Sequence, residues 1–191
     1  MINIVDEIFS RCNSDATAIV SRERTLSFGA LEALVLAASA ALGHEDAQRV
    51  GLLCPNGIHH IVWSLAVLRC GGVLVPIAGE LSLPERNQLV QTTSLDAVLT
   101  AGEKEWHYLA PKISILDVAG IPAKLHSGLR GNAVADFDET ALNALNPALI
   151  RFSSGTTRAG APERSGSCMI TLARISPTSS PVNRGLPVMS S

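Results

Sequence analysis

Apolar positions along this chain follow two rhythms: stripes at helical spacing, and short unbroken runs bounded by turn residues. Ile4, Val5, Ile8 and Phe9 recur on one face with Asp6 and Glu7 in the first turns, which predicts a short helix up to Cys12. Ala18-Ile19-Val20 reads as a strand, Ser21 to Arg24 as a charged hairpin tip, and Thr25-Leu26 as the returning strand. Ser27 is placed to cap a helix whose stripe is Leu31, Leu34, Val35, Ala38 and Leu42, ending near Gly43. Val50-Gly51-Leu52-Leu53-Cys54 is a continuous apolar run of the kind found in strands buried on both faces. Pro55-Asn56-Gly57 turns the chain into a helix from about Ile58 to Cys70, stopped by Gly71-Gly72, and Val73 to Ile77 is the next strand. Ser82-Leu83-Pro84-Glu85 has the spacing of a capping box for a helix to about Thr92, and Ala97 to Thr100 and Ile113 to Leu116 complete the strands. Strands alternating with helices predict an α/β fold of βαβ units, a mainly parallel sheet covered by helices.

Length and charge narrow the class. A chain of 191 residues, 47% apolar and 17% charged, can bury a core. Its net charge of −2 gives no electrostatic footing for nucleic acid. Its apolar runs are too short to span a membrane, and the first residues do not read as a signal peptide, so the expected compartment is cytoplasmic. Cys12, Cys54, Cys70 and Cys168 are scattered without metal-ligand spacing, and Cys54 and Cys70 read as small buried hydrophobes. No metal site is assigned. Adjacent His59 and His60 point apart on a helix and read as surface or helix-flank residues, while Trp63 reads as core. Asp136, Asp138 and Glu139 read as an exposed acidic connection.

One stretch carries chemistry. Leu149-Ile150-Arg151-Phe152 reads as a strand that ends in Ser153-Ser154-Gly155-Thr156-Thr157. Glycine lets backbone N–H groups converge on an anion, and hydroxyls add donors suited to phosphate oxygens. In α/β sheets, ligands sit at the carboxyl ends of strands. A Ser/Thr-rich turn also accounts for the pentapeptide taken alone. Arg151 either helps to neutralise phosphate, or caps the sheet edge, or pairs with an acid.

With Asn146-Pro147-Ala148 leading in, the stretch resembles the phosphate loop of adenylate-forming enzymes, including acyl-CoA synthetases and peptide-synthetase adenylation domains. Thr25 to Leu31, Arg49 to Gly57, and Ala66 to Pro76 with Glu85 and Leu89 resemble further segments of that family in the same order, so the likeness runs from Ile19 to Thr157. It implies the first part of the family's large N-terminal domain, ATP with Mg²⁺ as cofactors, and Ser153, Ser154, Gly155, Thr156 and Thr157 as the cofactor-binding residues. It also implies a small-molecule carboxylic acid and a thiol such as coenzyme A as partners of the full-length parent. The family's acyl pocket, ribose-binding acid, hinge and catalytic lysine have no counterpart here, so no catalytic residue is assigned and the chain alone is expected to be inactive. A non-catalytic α/β binding or interaction domain derived from the family is the alternative. An unrelated nucleotide-binding domain is a third reading, but the chain has no G-x-G-x-x-G or Walker-type sequence.

The likeness stops at Arg158, where the family has a second glycine, and no lysine follows Lys124. Residues 1–157 carry 11 basic and 16 acidic side chains; residues 158–191 carry four arginines, one acid, seven serines and four prolines. Two units are therefore expected: a partial AMP-binding domain over 1–157, and a Ser/Pro/Arg-rich tail over 158–191, either out of frame or disordered. Within the tail only Cys168 to Ile175 could form an ordered element. A partial domain also implies an exposed apolar face through which copies could self-associate.

Overall fold

The carboxyl ends of four parallel strands set the frame of the molecule. The computed structural model describes residues 3–22, 24–43, 48–102, 110–129, 140, 147–153 and 169–173. Helix α1 (Ile4–Arg11) starts at Asn3, whose side chain accepts the Val5 N–H at 2.9 Å, and it buries Val5 and Phe9. Ile8, expected on the same face, is exposed instead: it lies one step round the helix from the buried pair. Strands β1 (Thr17–Val20) and β2 (Thr25–Ser27) form the antiparallel hairpin expected, closed at its tip by the Ser21 hydroxyl donating to the Arg24 carbonyl at 2.8 Å. Ser27 caps α2 (Phe28–Leu42), accepting the Ala30 N–H at 3.2 Å.

All five residues of β3 (Arg49–Leu53) are buried, as the unbroken apolar run requires. Then come α3 (Ile58–Arg69), β4 (Val73–Pro76), α4 (Leu83–Thr93) and β5 (Ala97–Thr100). The capping box before α4 is formed: the Glu85 carboxylate accepts both the backbone N–H and the hydroxyl of Ser82, each at 2.7 Å. Beyond these lie β6 (Lys112–Val118), β7 (Ile121–Ser127), β8 (Leu149–Ser153) and β9 (Met169–Ala173).

Seven strands form the main sheet in the order β6-β7-β5-β3-β4-β8-β9. Its centre, β5-β3-β4-β8, is parallel. Its edges are antiparallel. The segment around Ile113 to Leu116 does not extend the parallel series; it pairs with the unforeseen strand β7, which in turn pairs antiparallel with β5. The β6–β7 turn has Ala119 at φ 49° and Gly120 at φ 77°, the two positive values that a two-residue hairpin needs. At the other edge, β9 falls inside the span Cys168 to Ile175 and pairs antiparallel with β8.

The two faces of the sheet are covered unequally. Val50, Leu52, Leu74, Ala97, Leu99, Ala123 and Leu125 share one core with side chains of α1, α2 and α3. Leu53, Val75, Val98 and Ile150 face the other way, against Leu89 and Val90 of α4. Gly51 lies on this second face, where a Cβ would come within 2.8 Å of both Ile77 and Leu95. Cys54 is only half-buried and Cys70 is exposed, unlike the buried hydrophobes expected. Cys70 directly follows α3 at its capping position.

Candidate functional site

Pairing of Leu74 with Leu149 aligns β8 parallel to β4, and the Leu74 N–H donates to the Ala148 carbonyl at 2.9 Å. Ser153, the last residue of β8, therefore lies at the same edge of the sheet as Leu53 of β3, Pro76 of β4 and Thr100 of β5. That is the edge where α/β sheets bind ligands. Ile150 anchors the strand in the α4-side core, and Arg151 is exposed. Ser153 faces Met169 across the β8–β9 ladder. Ser154, Gly155, Thr156 and Thr157 lie outside the described residues, as do Asp136, Asp138 and Glu139.

A cleft of about 380 Å³ opens at the same edge, between the β1–β2 tip and the turns after β3 and β5. Ser21, Arg22, Cys54, Asn56, His59 and Gly102 are among its lining residues. Only one β-strand separates β8 from β3, so the cleft and the end of β8 are offset by about two strand spacings, ~10 Å. Sequence reasoning placed a turn at Pro55-Asn56-Gly57 but no cleft. Its walls come from three segments far apart in the chain. Burial pushes the Cys54 thiol up to about 11, so it is a protonated thiol at neutral pH and not a nucleophile. His59 and His60 are both half-buried, and among the described residues no three His, Cys, Asp or Glu side chains are grouped to hold a metal ion.

A buried polar pair backs this edge. His126 of β7 places its Nε2 3.3 Å from the Thr100 hydroxyl. Burial, with a smaller effect of Lys124, holds His126 below its ordinary value. In the unfolded chain His126 takes up a proton near pH 6.5, whereas in the fold it does so only at lower pH. Its contribution to stability is thus complete above about pH 6.5 and lost as pH falls from there through the folded value. The His126→Gln variant should lose less stability than the parent between pH 7.5 and pH 5.5, measured as the shift in urea midpoint. Equal shifts would show that His126 is not a source of acid sensitivity.

The family comparison bears on the β8 edge directly. The model of the AMP-binding enzyme family matches residues 7–162, which takes in every strand of the parallel centre and the whole Ser153-to-Thr157 sequence. The chain belongs to the AMP-binding enzyme family. The chain is 31% identical over 112 residues to the nonribosomal peptide synthetase asaC of Aspergillus flavus, a match covering 56% of the chain and 11% of that protein. It is 30% identical over 115 residues to a substituted propanoyl:CoA ligase of Mycobacterium tuberculosis, covering 59% of the chain and 22% of the ligase. The chain thus spans about a tenth to a fifth of the length of these curated relatives. In fold it is similar to the N-terminal subdomain of Klebsiella oxytoca NpsA, solved in complex with 3-hydroxybenzoyl-AMSN, with a TM-score of 0.55 at 20% identity over 88% of this chain and 39% of that one. Apo MatB of Rhodopseudomonas palustris gives a TM-score of 0.56 at 17% identity over 89% of this chain and 34% of that one. Among the described residues no helix is long and apolar enough to cross a membrane.

Proposed function

We propose that this chain is the nucleotide-phosphate-holding front part of an ATP-dependent ligase that joins a carboxylic acid to coenzyme A or another thiol. The observation that carries the reading is the delivery of Ser153 by β8 to the carboxyl edge of the parallel strands, inside the span of the family match. When bound, ATP with Mg²⁺ supplies an α-phosphorus that a carboxylate attacks, with pyrophosphate leaving and the thiol then displacing AMP. The hydroxyls of Ser153, Ser154, Thr156 and Thr157 and the amides around Gly155 would hold the β- and γ-phosphates as charge spreads onto the leaving group. Coenzyme A and ATP are both supplied in the cytoplasm, the compartment this reading favours.

The 191 residues do not complete that reaction on their own in this proposal, since they span so small a share of the curated relatives. The purified chain is expected to give no ATP–pyrophosphate exchange with pooled fatty, aryl and amino acids, yet to bind Mg-ATP weakly by calorimetry, with Gly155→Val lowering that affinity at least about tenfold, or 1.4 kcal/mol. An exchange signal would refute the inactivity. Binding that is absent, or indifferent to Gly155→Val, would instead favour the non-catalytic interaction domain, a reading that Arg158 in place of the second glycine supports.

The unit boundary is part of the proposal: 1–157 as the partial AMP-binding domain and 158–191 as text read out of frame. Another reading frame of the coding DNA beyond Thr157 is expected to continue with Gly, a short spacer and Lys-Gly. If no frame does so, the tail is a natural divergence.

A further inference from the structure

We infer that β9, a strand outside the family match, is the element that fixes the end of β8 and with it the position of Ser153. The family match ends at residue 162, whereas β9 spans Met169–Ala173. The two sides of β8 are held unequally. Toward β4 the described register holds one pair, Leu74 with Leu149, supported by the Leu74 N–H donating to the Ala148 carbonyl at 2.9 Å. Toward β9 all five residues of β8 are paired, from Leu149 with Ala173 to Ser153 with Met169.

Backbone direction explains the difference. Along a strand, successive residues turn their N–H and C=O groups to opposite sides. The Leu74 N–H faces β8, so the next β4 residue with that orientation is Pro76. Proline has no N–H to give the Ile150 carbonyl, and the parallel ladder stops short of the sheet's carboxyl edge. The Ala148 carbonyl faces β4, so by the same alternation Leu149, Arg151 and Ser153 turn their backbone groups toward β9. Their partners there are Ala173, Thr171 and Met169, and directly bonded antiparallel pairs of this kind exchange two hydrogen bonds each. The backbone of Ser153 is therefore held by the tail strand. Met169-Ile170-Thr171-Leu172-Ala173 contains no charge, glycine or proline, and its Ile and Thr favour extended chain. Such pairing uses main-chain groups, so the role holds whichever reading frame supplied these residues.

Amide hydrogen exchange of the full chain tests this, read at Arg151 and Ser153 against Leu52 in the buried centre of the sheet. Thr171→Pro removes an N–H aimed at Arg151, and it should speed exchange at Arg151 and Ser153 at least about tenfold while Leu52 changes less than about threefold. Thr171→Val keeps the N–H and the preference for extended chain, and should match the parent. Leu172→Pro removes an N–H turned away from β8, and should stay within about threefold of the parent at all three amides. Met169→Pro alters only the last pair; it should speed exchange at Ser153 about tenfold, and it keeps the test open where Thr171→Pro does not fold. Unchanged exchange in the variants at 169 and 171, or equal acceleration by Leu172→Pro, would overturn the inference. What Ser153 would hold rests on the ligase reading, under which Thr171→Pro should also weaken Mg-ATP binding at least about fivefold. A parent that binds no Mg-ATP counts against that reading alone, because the exchange measurement needs no ligand.

Discussion

Replacing Trp63 by alanine is expected to cost about 3–5 kcal/mol, the usual range for removing a buried aromatic side chain. Trp63 has no exposed surface and belongs to the core that α1, α2 and α3 form against the sheet, with Phe9, Val35, Ala38, Leu52 and Leu74 in the same cluster. The loss combines the transfer of a large apolar surface and the cavity left among side chains fixed by three helices. Small domains are stable by only about 5–15 kcal/mol, so the variant should unfold at markedly lower urea. Trp106 also fluoresces, so the transition is best followed by far-UV circular dichroism. A loss below about 1.5 kcal/mol would mean that the three-helix face closes over the gap, which close packing does not permit.

Asp96→Ala is expected to cost about 3 kcal/mol for a different reason, the loss of two charge-assisted hydrogen bonds. Asp96 sits in the short link between α4 and β5 and is buried. Its Oδ2 accepts the backbone N–H of Gln48 at 2.9 Å and of Arg49 at 2.6 Å, so one carboxylate oxygen holds the start of β3. Its own N–H donates to the Arg49 carbonyl at 3.0 Å, and its carbonyl accepts the Leu129 N–H at 3.1 Å. Alanine keeps the last two bonds and strips the first two. Denaturant unfolding gives the total, and amide exchange at Gln48 and Arg49 should accelerate before that of the central strands does. Asp96→Asn retains an acceptor oxygen and should cost about half as much. Equal stability of Asp96→Ala and the parent would show that water replaces the carboxylate at this corner.

The parts of the fold legible in the sequence are those in which local chemistry and tertiary environment agree. Ser27 and the Ser82–Glu85 pair announce helix starts because unpaired N–H groups need acceptors there, and both caps form. The runs at Val50 to Leu53 and Ala97 to Thr100 are continuous because both faces of the parallel centre are covered. Strand β7 was not legible although it alternates: Ile121, Ala123 and Leu125 are buried while Pro122 and Lys124 are exposed. Its turn is Ala119-Gly120, without the Asn-Gly or Asp-Gly that marks a tight hairpin, so Ala119 takes up a left-handed conformation unusual for its type. At the candidate site, the strand before the hydroxyl run was legible as a strand, but the position of Ser153 beside β4 depends on a pairing no local pattern encodes. Arg151 was ambiguous for the same reason, and it proves to be exposed on a strand paired on both sides.

The pairing of β4 with β8 carries a consequence for assembly. Leu74 and Leu149 are neighbours in space, yet α4, β5 and the β6–β7 hairpin all lie between them along the chain. Contacts between such distant segments cost more chain entropy to close than the short crossovers that join β3, β4 and β5. A chain emerging in order can therefore build the β3–β4–β5 nucleus and its hairpin before the last parallel strand exists. The strand bearing Ser153 is then the last of the parallel strands to join, and β9, which pairs with it, can add only afterwards.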